Sequence, residues 1–198
     1  NRRNGLPSDS IQALYPARDG GLWIGFDRSG VAQIKDGVIS RRLGDAALDG
    51  ASARALYEDA MGTLWLATRR GLCSFKDSRF VNHTKNGELK PESIRDFAEG
   101  AGGVLWIATS DGLVRRQGGT FTMLGRSAGL SSVSIRALHV DRAGTLWIGT
   151  NAGGLNWIKE GKVHACGVKH GLPSETVSGL SEDGHAGGKF PRPDLHER

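Results

Sequence analysis

Four copies of one tetrapeptide, Gly-x-Leu-Trp, recur in a single register along a chain of 198 residues. They are Gly20-Gly21-Leu22-Trp23, Gly62-Thr63-Leu64-Trp65, Gly103-Val104-Leu105-Trp106 and Gly144-Thr145-Leu146-Trp147, with the tryptophans 42, 41 and 41 residues apart. Other positions keep step. Twelve residues before each Trp stands Ile11, Ala53, Ile94 or Ile135, and two residues after it stands Gly25, Ala67, Ala108 or Gly149. A fixed period of this length makes each copy one supersecondary unit that buries its apolar face only against its neighbours.

Each unit reads as four short strands. In the fourth, Ser134 to Val140 is β-compatible and ends in the turn sequence Asp141-Arg142-Ala143-Gly144. Thr145 to Thr150 is rich in β-branched and aromatic residues, Leu155 to Lys159 follows a glycine turn, and Glu160-Gly161 leads into Lys162 to Cys166. Glycine makes up 30 of the 198 residues, about twice the ordinary ~7%. Tight turns with positive φ account for that excess. A helical solenoid of similar period is excluded, because the apolar spacing is near two and Gly clusters interrupt every ten residues or so. The expected fold class is therefore all-β, with β-propeller blades of four antiparallel strands at about residues 8–42, 50–84, 92–125 and 132–166. Trp23, Trp65, Trp106 and Trp147 are the expected inter-blade core.

A fifth unit begins and stops. Gly171 to Glu182 matches the stretch from Gly5 onward, with Val177 and Leu180 in register with Ile11 and Leu14. This gives four complete repeats plus the first strand of a fifth at 174–182, one domain over 1–184 and a disordered polar tail at 185–198. A closed four-bladed ring has no slot for that extra strand, so an open arc is expected. Its bare end faces predict self-association or missing further blades.

Catalytic signatures are absent from the sequence: no nucleophile elbow, P-loop or His-Glu-x-x-His occurs. The six histidines share no repeat position, and Cys73 and Cys166 do not suffice for a zinc site. Catalytic, metal and cofactor assignments are accordingly none. Asp59 and Asp141 stand before turn glycines and read as turn formers. The net charge of +5 comes from scattered basic residues, which argues against nucleic acid as a partner, and no apolar run is long enough to span a membrane. One constellation points to ligand binding. Arg54, Arg95 and Arg136 (with Gln12 in the first unit) open the first strand of successive units, where strand one lines the axis of a propeller. With Arg69, Asp111 and Asn151 on the loops between strands two and three, they form a candidate mouth suited to carboxylates, phosphates or acidic sugars. The same position also suits a structural ion pair inside each blade, and the residues leave both readings open.

The sequence Gly129-Leu130-Ser131-Ser132, Ile135-Arg136-Ala137-Leu138, Asp141-x-x-Gly144-x-Leu146-Trp147-Ile148-Gly149-Thr150 and Gly153-Gly154-Leu155 resembles the two-component regulator propeller repeat. The resemblance covers residues 4 to about 184. It weakens in the second unit, where Leu48-Asp49-Gly50 replaces Gly-Leu-Ser, and in the third, where Gly100 replaces the turn Asp. It implies a periplasmic sensor region of a hybrid histidine kinase or a diguanylate-cyclase receptor, in which repeats of this kind build seven-bladed rings and many respond to oligosaccharides. With four complete units, this chain is expected to be a fragment or truncated relative of such a region. The function so implied is non-catalytic ligand sensing in bacterial signal transduction, with a small molecule or oligosaccharide as partner. The alternatives are a propeller lyase resembling streptogramin lyase, which needs a metal and a convergent His/Glu pair that the sequence does not display, and a protein-interaction propeller.

Overall fold

The computed structural model describes residues 5–43, 48, 52–69, 71–84 and 93–182. Sixteen strands form four antiparallel sheets of four, each in strict sequence order. The first blade is β1 (Ile11–Pro16), β2 (Leu22–Phe26), β3 (Val31–Lys35) and β4 (Val38–Leu43). The second is β5 (Ala53–Glu58), β6 (Leu64–Thr68), β7 (Gly71–Lys76) and β8 (Arg79–Asn82). The third is β9 (Asp96–Gly100), β10 (Val104–Ala108), β11 (Leu113–Gln117) and β12 (Thr120–Leu124), and the fourth is β13 (Ile135–Val140), β14 (Leu146–Thr150), β15 (Leu155–Lys159) and β16 (Lys162–Cys166). A three-residue 3-10 turn at Ala101–Gly103 joins β9 to β10.

The turns joining third and fourth strands show why the sequence folds locally as it does. Both central residues have positive φ: 51° and 77° at Asp36 and Gly37, 47° and 60° at Asp77 and Ser78, and 51° and 76° at Glu160 and Gly161. This geometry matches the right-handed twist of the flanking strands. The second blade does without glycine there and carries the strain of two left-handed side-chain-bearing residues.

The core lies in the seams between blades. Trp23 and Val31 of the first blade pack with Leu56, Leu64, Leu66 and Cys73 of the second. Trp65 and Leu72 pack with Phe97, Leu105, Ile107 and Val114 of the third, and Ala108 and Leu113 with Leu138, Leu146 and Ile148 of the fourth. The guanidinium of Arg116, on β11, lies 4.6 Å from the centroid of the Trp65 ring across the seam, a cation–π contact.

The four tryptophans do not share one degree of burial. Trp23 and Trp65 are buried, while Trp106 and Trp147 are half-buried. Asp59 and Asp141 accept the indole N–H of Trp65 and Trp147 at 2.9 and 2.8 Å. At Trp106 the equivalent residue is Gly100, whose missing Cβ would lie 3.0 Å from the indole nitrogen, so no carboxylate covers that edge. Trp147 faces the place of a fifth blade, where it meets Trp157 at 5.6 Å between ring centroids.

The two ends of the array differ. Ile11 and Leu14 are 45% and 59% exposed, whereas their counterparts Ile135 and Leu138 are 0% and 7% exposed. Among the described residues no blade covers β1, so the four blades do not close into a ring. Ile24, Phe26 and Ala32 are nevertheless buried, under Leu6, Leu22, Ile34 and Ile39. The bare apolar surface of this end is thus confined to the inner strand and to Val38 at the blade edge. At the other end, residues 174–182 occupy the seat of a fifth inner strand. The Val177 N–H donates to the Thr150 carbonyl at 2.9 Å, as the Ile135 N–H does to Thr109 at 2.8 Å. The segment is not hydrogen-bonded as a strand. The tail at 185–198 lies outside the described residues.

Two stability measurements follow from this packing. Trp65→Ala should cost about 3–5 kcal/mol by chemical denaturation, the range for truncating a buried aromatic residue; a loss below about 1 kcal/mol would remove the ring from the core. Ser78→Gly should stabilise the chain by about 0.5–1 kcal/mol, because glycine takes a left-handed φ without a Cβ penalty; a destabilised variant would contradict the turn geometry.

Candidate functional site

The inner strands begin at one end of the array, and their first residues are irregular. The pairing of β1 with β2, of β5 with β6 and of β13 with β14 skips one residue, at Gln12, Arg54 and Arg136. An unpaired residue of this kind is a β-bulge, which bends the strand and re-aims its side chain. In the third blade Arg95 directly precedes β9, with its N–H bonded to the Ala108 carbonyl at 2.9 Å. The repeated arginine therefore sits where the backbone leaves regular pairing.

Arg54, Arg95 and Arg136 line one cavity of about 390 Å³, together with Ile94 and Ser178. Three successive blades and the fifth-unit segment contribute to it. The three arginines are exposed. Arg136 donates from Nε to Asn151 Oδ1 at 3.2 Å, a neutral acceptor. No side-chain hydrogen bond or ion pair joins Arg54 or Arg95 to another described residue. The structure thus brings Arg54, Arg95 and Arg136 together and sets Asn151 behind Arg136. Arg69 and Asp111 are on the β6–β7 and β10–β11 connections but do not line the cavity. Ser178 escaped the sequence reading, although it follows Val177 as Arg136 follows Ile135.

At the opposite end of the inner strands a second repeated feature appears. Glu58 Oε2 accepts the Trp23 indole N–H at 3.0 Å and the Arg18 backbone N–H at 3.1 Å. Glu99 Oε2 accepts the Ala60 N–H at 2.7 Å. Glu182, at the same place in the fifth unit, lies 3.7 Å from Arg142 Nε and 3.9 Å from His139 Nε2. In each case a carboxylate reaches back to the preceding blade. The His139–Glu182 approach is a convergent His/Glu pair that the sequence did not display, because its members are 43 residues apart; it lies at the opposite end of β13 from Arg136. No group of three or more His, Cys, Asp or Glu suited to a metal occurs among the described residues.

Beside Arg95, Asp96 ties two blades together. Its carboxylate accepts the Leu138 N–H of the fourth blade at 2.8 Å and its own neighbour Phe97 N–H at 2.9 Å. Burial pushes its pKa up, and those two hydrogen bonds only partly offset the rise.

Four-stranded sheets packed face to face, with inner strands opening on a common mouth, define a β-propeller repeat array. Residues 5–28 and 129–152 match the model of the two component regulator propeller family; the matches fall on β1–β2 and β13–β14. No curated protein matches the sequence. Among solved structures, the chain is similar to the extracellular domain of a putative hybrid two component system from B. thetaiotaomicron, with a TM-score of 0.73 and 21% identity over 90% of this chain and 25% of that one. A second extracellular domain from B. thetaiotaomicron, of a putative one component system, gives 0.62 and 20% over 81% of this chain and 25% of that one. Virginiamycin B lyase from Staphylococcus aureus gives 0.62 and 14% over 79% of this chain and 55% of that one. At these identities the likeness is one of fold, and the chain spans about a quarter of the length of the two extracellular domains. No helix among the described residues is long and apolar enough to cross a membrane.

Asp96 yields a pH test. Its folded-state pKa is raised, so the folded state holds the protonated form more tightly than the unfolded chain does. That contribution is fully present below the unfolded pKa of about 3.9 and is lost as pH rises through the folded value. The parent should therefore lose stability as pH rises from about 4 through the folded pKa of Asp96, and Asp96→Asn, whose side chain does not titrate, should lose less over the same range. An equal loss in the variant would contradict the burial argument.

Proposed function

We infer that this chain is part of a non-catalytic, ligand-recognising β-propeller in a bacterial two-component signalling receptor, acting in the periplasm or outside the cell, with an oligosaccharide bound at the mouth where the inner strands begin. The single observation that carries this reading is the cavity lined by Arg54, Arg95, Arg136 and Ser178. It offers hydrogen-bond donors from successive repeats at one concave surface, which suits a ligand with several polar groups. The repeat family and the likeness to extracellular domains of two component systems support the location and the signalling role. Within such a receptor the propeller contributes recognition, and the output step belongs to other segments.

The lyase reading draws on the similarity to virginiamycin B lyase and on the His139–Glu182 pair. Arg142 shares Glu182 with His139, so this carboxylate is engaged in the seam between blades. Titration of the chain with a panel of oligosaccharides, followed by mass analysis of the recovered ligand, tests the choice. The expected outcome is saturable binding with the ligand recovered intact and Arg95→Gln/Arg136→Gln weakening it. A ligand recovered cleaved, or binding to no member of the panel, contradicts the reading.

A further inference from the structure

We propose that the mouth recognises a ligand with two or more anionic groups, spaced to bridge successive blades, and that such a ligand also fastens residues 174–182 onto the fourth blade. This deepens the sensing reading and rests on it for the location of the site.

The charge arithmetic of the cavity carries the first half. Three arginines line a cavity of about 390 Å³. None of the three meets a carboxylate among the described residues, and Arg136 has only the neutral Asn151. A structural role for the repeated arginine would show an ion pair or stacking partner in each blade. Arg116 shows what such a role looks like, with its guanidinium over Trp65. Arg54 and Arg95 have no equivalent. Unneutralised like charges repel, and one anion leaves part of that repulsion in place. A ligand with anionic groups at two or three points neutralises it and gains a bidentate contact at each. The β-bulges at Arg54 and Arg136 take these residues out of the regular strand pairing.

Ser178 carries the second half. It is the one cavity residue from the fifth unit. Its segment is held by the Val177 N–H on Thr150, by the Glu175 carbonyl accepting the Gly154 N–H at 2.7 Å, and by Glu182. A ligand that touches both Arg136 and Ser178 adds a tie between this segment and the fourth blade.

The test compares three probes on the full chain: digalacturonate, its neutral methyl ester of the same shape, and tripolyphosphate. Digalacturonate should bind at least about tenfold more tightly than the ester, consistent with charge-assisted hydrogen bonds, and its affinity should fall with added salt. Amide exchange over 174–182 should slow when it binds. Arg95→Gln/Arg136→Gln should reduce its affinity to that of the ester. Gln12 occupies the same repeat position at the bulge of the first blade, so glutamine is compatible with the backbone there. Arg79→Ala, on β8 away from the mouth, should change nothing. Equal affinity for acid and ester overturns the polyanion inference and leaves oligosaccharide sensing standing. Tripolyphosphate binding that depends on Arg95 and Arg136, without binding of either sugar, supports the polyanion site and counts against the oligosaccharide reading. Binding of none of the three overturns both, and digalacturonate binding with unchanged exchange at 174–182 overturns the fastening.

Discussion

The array depends on how closely one blade lets the next approach. Two residues after each repeat Trp the side chain is at most a methyl: Gly25, Ala67, Ala108 or Gly149. A Cβ at Gly25 would lie 2.6 Å from the Ala53 carbonyl oxygen, and one at Gly149 would lie 2.7 Å from that of Val177. The following inner strand therefore sits in backbone contact with the blade before it. That closeness brings the Ile135 and Val177 N–H groups to the carbonyls of Thr109 and Thr150. It also lets the larger residues on either side, Trp65 and Phe97 for example, close over the seam.

The same approach creates the candidate site. Inner strands that begin at one end of closely seated blades bring equivalent residues of separate repeats together. One arginine per repeat thereby becomes a cluster across three blades. At the other end of the same strands Glu58, Glu99 and Glu182 reach back to the preceding blade. One end of the inner strand is committed to holding blades together. The other presents three arginines with no carboxylate partner among the described residues.

Much of this was legible in the sequence. The period gave four blades because a Trp, a small residue and a turn glycine recur in one register. The strands of the second, third and fourth blades lie inside 50–84, 92–125 and 132–166, while the first blade runs to Leu43, one residue past 42. The glutamate contacts were not legible, because Pro16 and Val140 occupy that position in the first and fourth units and break the pattern. The bulges were invisible for a different reason: a skipped residue is defined by its partner strand, not by its own identity. Of the candidate site residues, those in the repeat position converged. Arg69 and Asp111 did not, since loop residues at fixed offsets need not point along the strand axis.

The central claim is that each inner strand is seated on the backbone of the preceding blade through the small residue after its Trp. Amide hydrogen exchange at Val177 and Ile135 in the parent chain and in Gly149→Val tests it most directly. The account expects both amides to be protected in the parent, with protection lost at Val177 alone in the variant. Free exchange at Val177 in the parent chain, or protection unchanged by the valine, would contradict it.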